Sequence, residues 1–204
     1  MALLEHASRT VPLVWATAAT IGPFGVLLGG EEVPNAGSPI PFYRNEVIEG
    51  GNLDFQYRGR AVIRCARIFP GGRTQVRWLE RHLHMTQIFI PLGTEPFAMV
   101  LAPPNHEAGA MLPDLDRVTA FAFPPGYGLM LHIGTWHDFP LAPRGPITVL
   151  TMNSEEVVAA LQAVREPQEM DGDDIYKVDV PARTGVQLRV DLTLPAPLDR
   201  VPGS

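Results

Sequence analysis

The chain has 204 residues, 46% of them hydrophobic and 19% charged, a balance that suits a single folded domain and excludes a disordered or fibrous chain. A formal charge of −6 without any cluster of Lys or Arg argues against nucleic acid as a partner, and a lone cysteine, Cys65, excludes an intramolecular disulfide. Glu5, His6 and Arg9 precede only a short apolar stretch, and no run reaches the roughly 18 apolar residues of a membrane span, so a cytoplasmic chain with no membrane partner is expected.

In chain order, residues 1–15 read as an N-terminal arm. From Ala16 to Leu28 an apolar stretch is broken by Gly22, Pro23 and Gly25, which predicts a short helical turn and then a strand. Residues 29–41 are rich in Gly, Pro, Asn and Ser and read as loop. From Tyr43 to Phe55 a weak strand pattern surrounds a turn at Gly50-Gly51-Asn52. Arg60 to Phe69 is β-branched and alternating, a strand with Cys65 expected to be buried in it, and Pro70-Gly71-Gly72 ends it.

The next strand, Thr74 to His84, places Trp78, Glu80, His82 and His84 on one face and Arg77, Leu79, Arg81 and Leu83 on the other. Gln87 to Pro91 and Phe97 to Ala102 read as a hairpin joined through Leu92-Gly93-Thr94. Strands are also expected over Val118 to Phe123, Leu129 to Ile133 and Ile147 to Met152, the last two flanking a loop that carries His137. Ser154 is suited to cap a helix running to Val164, with Glu155 and Glu156 in its first turn. An acidic linker over 166–174 leads to one or two added strands between Tyr176 and Leu194.

Many short strands with frequent turns predict an all-β fold, a cupin-like β-barrel of jelly-roll type with few short helices. Residues 16–164 would form the barrel domain. Residues 165–204 would be a C-terminal extension whose strands pack on the barrel or on a partner subunit.

Two histidine-bearing signatures stand out. In the first, Glu80-x-His82 is an i, i+2 pair followed by Gln87; in the second, His132-Ile-Gly134-Thr-Trp-His137 follows a Pro-Gly turn. If the strand faces align, Glu80, His82, Gln87 and His137 meet inside the barrel. Two imidazoles, a carboxylate and an amide oxygen suit a divalent ion such as Ni²⁺, Zn²⁺, Mn²⁺ or Fe²⁺. Glu80, His82, His84 and His132 are the candidates for acid–base work, because a histidine titrates near working pH. Arg67 either reaches inward to bind a carboxylate or faces out; Trp136 is either a pocket wall or core. The bland reading of the whole set is a solvated strand face with surface ion pairs.

The block Glu80-Arg81-His82-x-x-x-Thr86-Gln87-x-Phe89-Ile90-Pro91, with Pro113-Asp114-Leu115, Ala120-Phe121, Gly128 to His132 and Trp136-His137-x-x-Pro140-Leu141, resembles the ureidoglycolate lyase family. Phe24-Gly25 and Arg67 fit the same pattern, and the likeness runs from about Ile21 to Asn153. The resemblance implies a homodimeric cupin-like enzyme that cleaves (S)-ureidoglycolate to glyoxylate and urea, with nickel as the associated metal. It implies a small carboxylate substrate, for which Arg67, Trp136 and Gln87 are the candidate contacts. His84-Met85 departs from the family, which tends to have Leu-Gly there, and the tail after about Ser154 is longer than usual. Those departures keep open a lyase or hydrolase for another small α-hydroxy or α-amino acid derivative, an iron-dependent dioxygenase, and a non-catalytic small-acid-binding protein.

Overall fold

A computed structural model describes residues 6–30, 36–38, 46–47, 49–71 and 74–196. Seventeen strands are defined within them: β1 (Ala7–Val11), β2 (Leu13–Trp15), β3 (Gly25–Gly29), β4 (Ala36–Ser38), β5 (Glu49–Gly50), β6 (Ala61–Ile68), β7 (Gln75–Val76), β8 (Trp78–Arg81), β9 (Gln87–Leu92), β10 (Phe97–Ala102), β11 (Thr119–Phe123), β12 (Tyr127–Leu131), β13 (Trp136–His137), β14 (Ile147–Ser154), β15 (Met170–Gly172), β16 (Ile175–Asp179) and β17 (Val186–Val190). Three short α-helices, α1 (Ala18–Ile21), α2 (Glu155–Ala163) and α3 (Val180–Thr184), and two 3-10 turns, His106–Ala108 and Leu115–Arg117, complete the list. The fold is all-β and cupin-like, as the strand pattern predicts.

The strands form a seven-stranded sheet in the order β15-β16-β8-β13-β10-β11-β2, a five-stranded sheet in the order β3-β12-β9-β14-β6, a three-stranded sheet β1-β17-β7 and the pair β4-β5. The expected barrel is thus built as facing sheets, and no ladder closes on itself among the described residues. Side-chain alternation decides the layering. Phe97, Met99 and Leu101 of β10 and Phe121 and Phe123 of β11 point toward Phe89, Leu129, Leu131 and Val149 of the five-stranded sheet, forming the inner core. The alternate residues Ala98, Val100 and Ala102, with Leu79, Trp136 and Val178, face the other way and are covered by Val11, Val76, Leu188 and Val190 of the three-stranded sheet. The seven-stranded sheet is therefore the middle of three layers. This explains why β10 reads as an unbroken apolar run rather than an alternating one.

Several local expectations change. β9 and β10 are not a hairpin: β9 pairs with β12 and β14, while β10 pairs with β11 and β13 in the other sheet. Gly93, at φ 125°, turns the chain across the sandwich instead of back on itself. Residues 7–15, read as an arm, are strands that run parallel to β17 and β11. Such pairing between distant segments leaves no local period to detect. Cys65 is exposed, not buried, because β6 is an edge strand whose outer face is open. Much of 29–45 and Gly72 lie outside the described residues; within the predicted loop, 36–38 is a strand.

Helix α2 begins as expected, with Ser154 Oγ accepting from the Val157 N–H at 3.1 Å. Helix α3 was not expected, although its signals are ordinary: Asp179 accepts from the Ala182 N–H at 3.1 Å, Pro181 lies in the first turn and Gly185 ends it at φ 72°. No helix among the described residues is long and apolar enough to cross a membrane.

Leu188 is fully buried between the outer and middle sheets. Leu188→Ala should lower the unfolding free energy by about 2–5 kcal/mol in denaturant titration, because the cavity sits between layers that cannot easily collapse. A loss below about 1 kcal/mol would show that the outer sheet contributes little to the fold.

Candidate active site

The site lies on the inner face of the seven-stranded sheet. Ladder registry sets Lys177 of β16 against Glu80 of β8, Glu80 against His137 of β13, and His137 against Leu101 of β10. Directly opposed residues point to the same face, so these four side chains form one row across four strands. His82 follows Glu80 by two residues, just past the end of β8, and its ring centroid lies 5.3 Å from that of His137. Phe89 from the facing sheet approaches His137 at 6.2 Å between centroids. Gln87 precedes Phe89 by two residues and so shares its inner face.

Glu80, His82, Gln87 and His137 are all at least nine-tenths buried, so their polar atoms need partners. Each imidazole finds one on a single side. His82 Nδ1 is 2.7 Å from the Asp174 carbonyl oxygen and His137 Nδ1 is 3.0 Å from that of Thr135. A carbonyl only accepts, so in both rings Nδ1 carries the proton and donates it. The Nε2 lone pairs then turn toward Glu80 Oε1, at 3.9 Å from His82 and 3.6 Å from His137. Neither Nε2 has a hydrogen-bond partner, nor has Gln87 Oε1.

Charge follows from this packing. Burial alone would push the Glu80 carboxyl up, but the Lys177 ammonium, helped by His137 and His82, holds it down at about 2. Burial pushes His137 down to about 4 against the opposing pull of Glu80, so its Nε2 is an unprotonated lone pair at neutral pH. Three acceptors therefore converge, with ligand atoms within 4.8 Å of one another. Neither Nε2 receives a hydrogen bond, and one small cation would join both to Glu80 Oε1. Backbone carbonyls that fix the far nitrogen of each ring are the usual supports of metal-binding histidines. The donor set fits a divalent ion.

The model of the ureidoglycolate lyase family matches residues 10–171. The chain belongs to the ureidoglycolate lyase family. Ureidoglycolate lyase of Burkholderia mallei (strain NCTC 10229) is 29% identical over 147 residues, 69% of this chain and 79% of that protein. That of Pseudomonas fluorescens (strain ATCC BAA-477) is 31% identical over 134 residues, 63% and 75% of the two chains. A solved dTDP sugar isomerase from Desulfovibrio desulfuricans G20 covers 64% of this chain and 75% of its own at 20% identity, with a TM-score of 0.35, too weak a likeness to carry any conclusion.

Against the residues a lyase of this family was expected to use, the structure makes a division. Glu80, His82 and His137 come together, and Gln87 faces them from the opposite sheet. Trp136 is completely buried on the other face of β13, where its Nε1–H donates to Asn105 Oδ1 at 2.9 Å; it is core, not pocket wall. Arg67 is exposed on β6, donating to Thr148 Oγ1 at 2.9 Å, because its neighbour Ile68 takes the inward position. His132 is exposed at the end of β12, with Nε2 3.2 Å from the Gly22 carbonyl. His84 is also exposed, its Nδ1 2.9 Å from Asp174 Oδ1.

Two residues of the centre escaped the sequence reading. Asp174 sits at φ 60° in the turn between β15 and β16. Its carbonyl holds His82, and its carboxylate accepts from the Leu83 and His84 N–H groups at 2.8 and 2.9 Å. Lys177 pairs with Glu80 Oε2. Lys177 did carry a signal, being the only lysine in the chain.

The shifts at Glu80 and His137 predict acid sensitivity in the metal-free protein. Both groups bind protons more weakly folded than unfolded, so each contributes stability above its unfolded pKa that is lost as pH falls through its folded one. Stability should decline from about pH 6.5 toward 4 through His137, and from about 4.5 toward 2 through Glu80. His137→Gln should flatten the upper limb in denaturant titrations run across that range; an unchanged profile would remove His137 as its cause.

Proposed function

We propose that this chain is a carbon–nitrogen lyase that cleaves (S)-ureidoglycolate to glyoxylate and urea at a divalent-metal centre held by Glu80, His82 and His137, with Gln87 beside it. The observation that carries the proposal is the convergence of Glu80 Oε1 with the two imidazole Nε2 atoms, both of which are buried without a hydrogen-bond partner. Family membership supports a lyase reaction. The ion, nickel by family resemblance, would act as a Lewis acid that lowers the pKa of the substrate hydroxyl.

The reaction removes the hydroxyl proton, forms the aldehyde carbonyl, breaks the C–N bond with its electron pair going to nitrogen, and returns a proton to the leaving urea. The protein's part is to orient and to dry the centre. Backbone carbonyls of Asp174 and Thr135 lock the two rings, so their Nε2 atoms need no reorganisation. Phe89 and Leu101 flank His137 with apolar surface that keeps bulk water from the reacting carbon. His84 and His132 are turned to other partners, so the proton is carried by groups within the centre or by water held there. A homodimer in the cytoplasm belongs to the same proposal.

The test is urea release from (S)-ureidoglycolate by purified protein, before and after chelation, alongside a panel of other α-hydroxy and α-amino acid derivatives. Activity should fall at least about hundredfold on metal removal and in His82→Ala/His137→Ala, and return to the wild-type protein with added Ni²⁺ or Zn²⁺. Full activity in the double variant would end the assignment, and turnover of another panel member alone would transfer the site to that substrate.

A further inference from the structure

Lys177 stands apart from the rest of the centre in origin. The family match ends at residue 171, and the hairpin of β15 and β16 runs past that limit. Through it the chain delivers its only lysine to the inner face of the sheet, in ladder register with Glu80. The Lys177 ammonium grips Glu80 Oε2, while Oε1 is the oxygen that faces both imidazoles. The carboxylate is thus divided: one oxygen is occupied by a covalently tethered cation, and the other is left to the site.

Three physical consequences follow for a divalent ion. With Oε2 taken, Glu80 offers a single oxygen and cannot bind through both. The negative charge that would attract the ion is already largely neutralised. A fixed positive charge also sits beside the ion in a buried setting, where repulsion is screened far less than in water. The Lys177 side chain is about one-fifth exposed, more than that of Glu80 or either histidine.

We propose that Lys177 is a positioning residue that holds Glu80 in one-oxygen presentation and sets the affinity of the centre for divalent cations well below what its three ligands would otherwise reach. The proposal rests on the reading of Glu80, His82 and His137 as metal ligands. It is independent of which substrate the enzyme turns over.

The experiment is a calorimetric titration of chelator-stripped, full-length protein with Zn²⁺ and, separately, Ni²⁺, with no substrate present. Lys177→Met and Lys177→Gln should each bind at least about tenfold more tightly than the wild type, and Lys177→Arg should stay within about threefold of it. A gain is the informative direction, because a substitution that merely damaged the fold would weaken binding. Two neutral variants of different shape guard against one of them failing to fold. Equal or weaker binding in the neutral variants, or no binding by any of the four proteins, overturns the proposal. A wild type that binds metal and releases no urea would count against the lyase assignment alone.

Discussion

The middle sheet is covered on both faces over β8, β13 and β10, and the candidate site follows from that constraint. Strands β8, β13 and β10 cannot expose either side, so polar residues on them lose water and must find partners within the protein. Arg81, on the outer face, lies 4.4 Å from the Trp136 ring and 5.0 Å from that of Tyr176, and donates to Asn105. On the inner face the row from Lys177 to His137 is only partly satisfied. The carboxylate has its ammonium and each imidazole has its carbonyl. The two Nε2 lone pairs and the Gln87 oxygen have nothing. Those unmet hydrogen bonds, clustered beside a carboxylate, mark the candidate site.

The hairpin of β15 and β16 does more than extend the sheet. Its turn residue Asp174 orients His82 through a backbone carbonyl and binds the backbone of Leu83 and His84 through its carboxylate. The His84-Met85 dipeptide acquires a physical role here. His84 pairs with Asp174, and Met85 is buried with Val157 of α2 and Ile175 of β16. The dipeptide therefore docks the hairpin of β15 and β16 and helix α2. The docked hairpin brings Lys177 to Glu80.

Much of this was legible locally. Alternation from Trp78 to His84 put Glu80 and His82 on one face, and Ser154 marked the start of α2. The mistakes share a cause. β9 and β10 look like a hairpin because a Gly-containing turn joins two apolar strands, and the same signal serves a chain that crosses between sheets. Alternation alone left Arg67 and Trp136 open between inward and outward, and in each case an adjacent residue, Ile68 or His137, takes the inward position. His132 and His84 have titratable rings near the motifs, yet each is turned toward a carbonyl or carboxylate that only the folded chain supplies.

The residues alone determined that strands would dominate, that Glu80, His82, Gln87 and His137 could share an interior, and that the family motif joins them, because period-two alternation and short motif spacing are local properties. Tertiary structure decided which strands are neighbours, which imidazole nitrogen is free, and that a lysine nearly a hundred residues from Glu80 stands beside it. Ladder registry between distant strands and the satisfaction of buried hydrogen bonds depend on the whole fold, and no stretch of chain encodes either by itself.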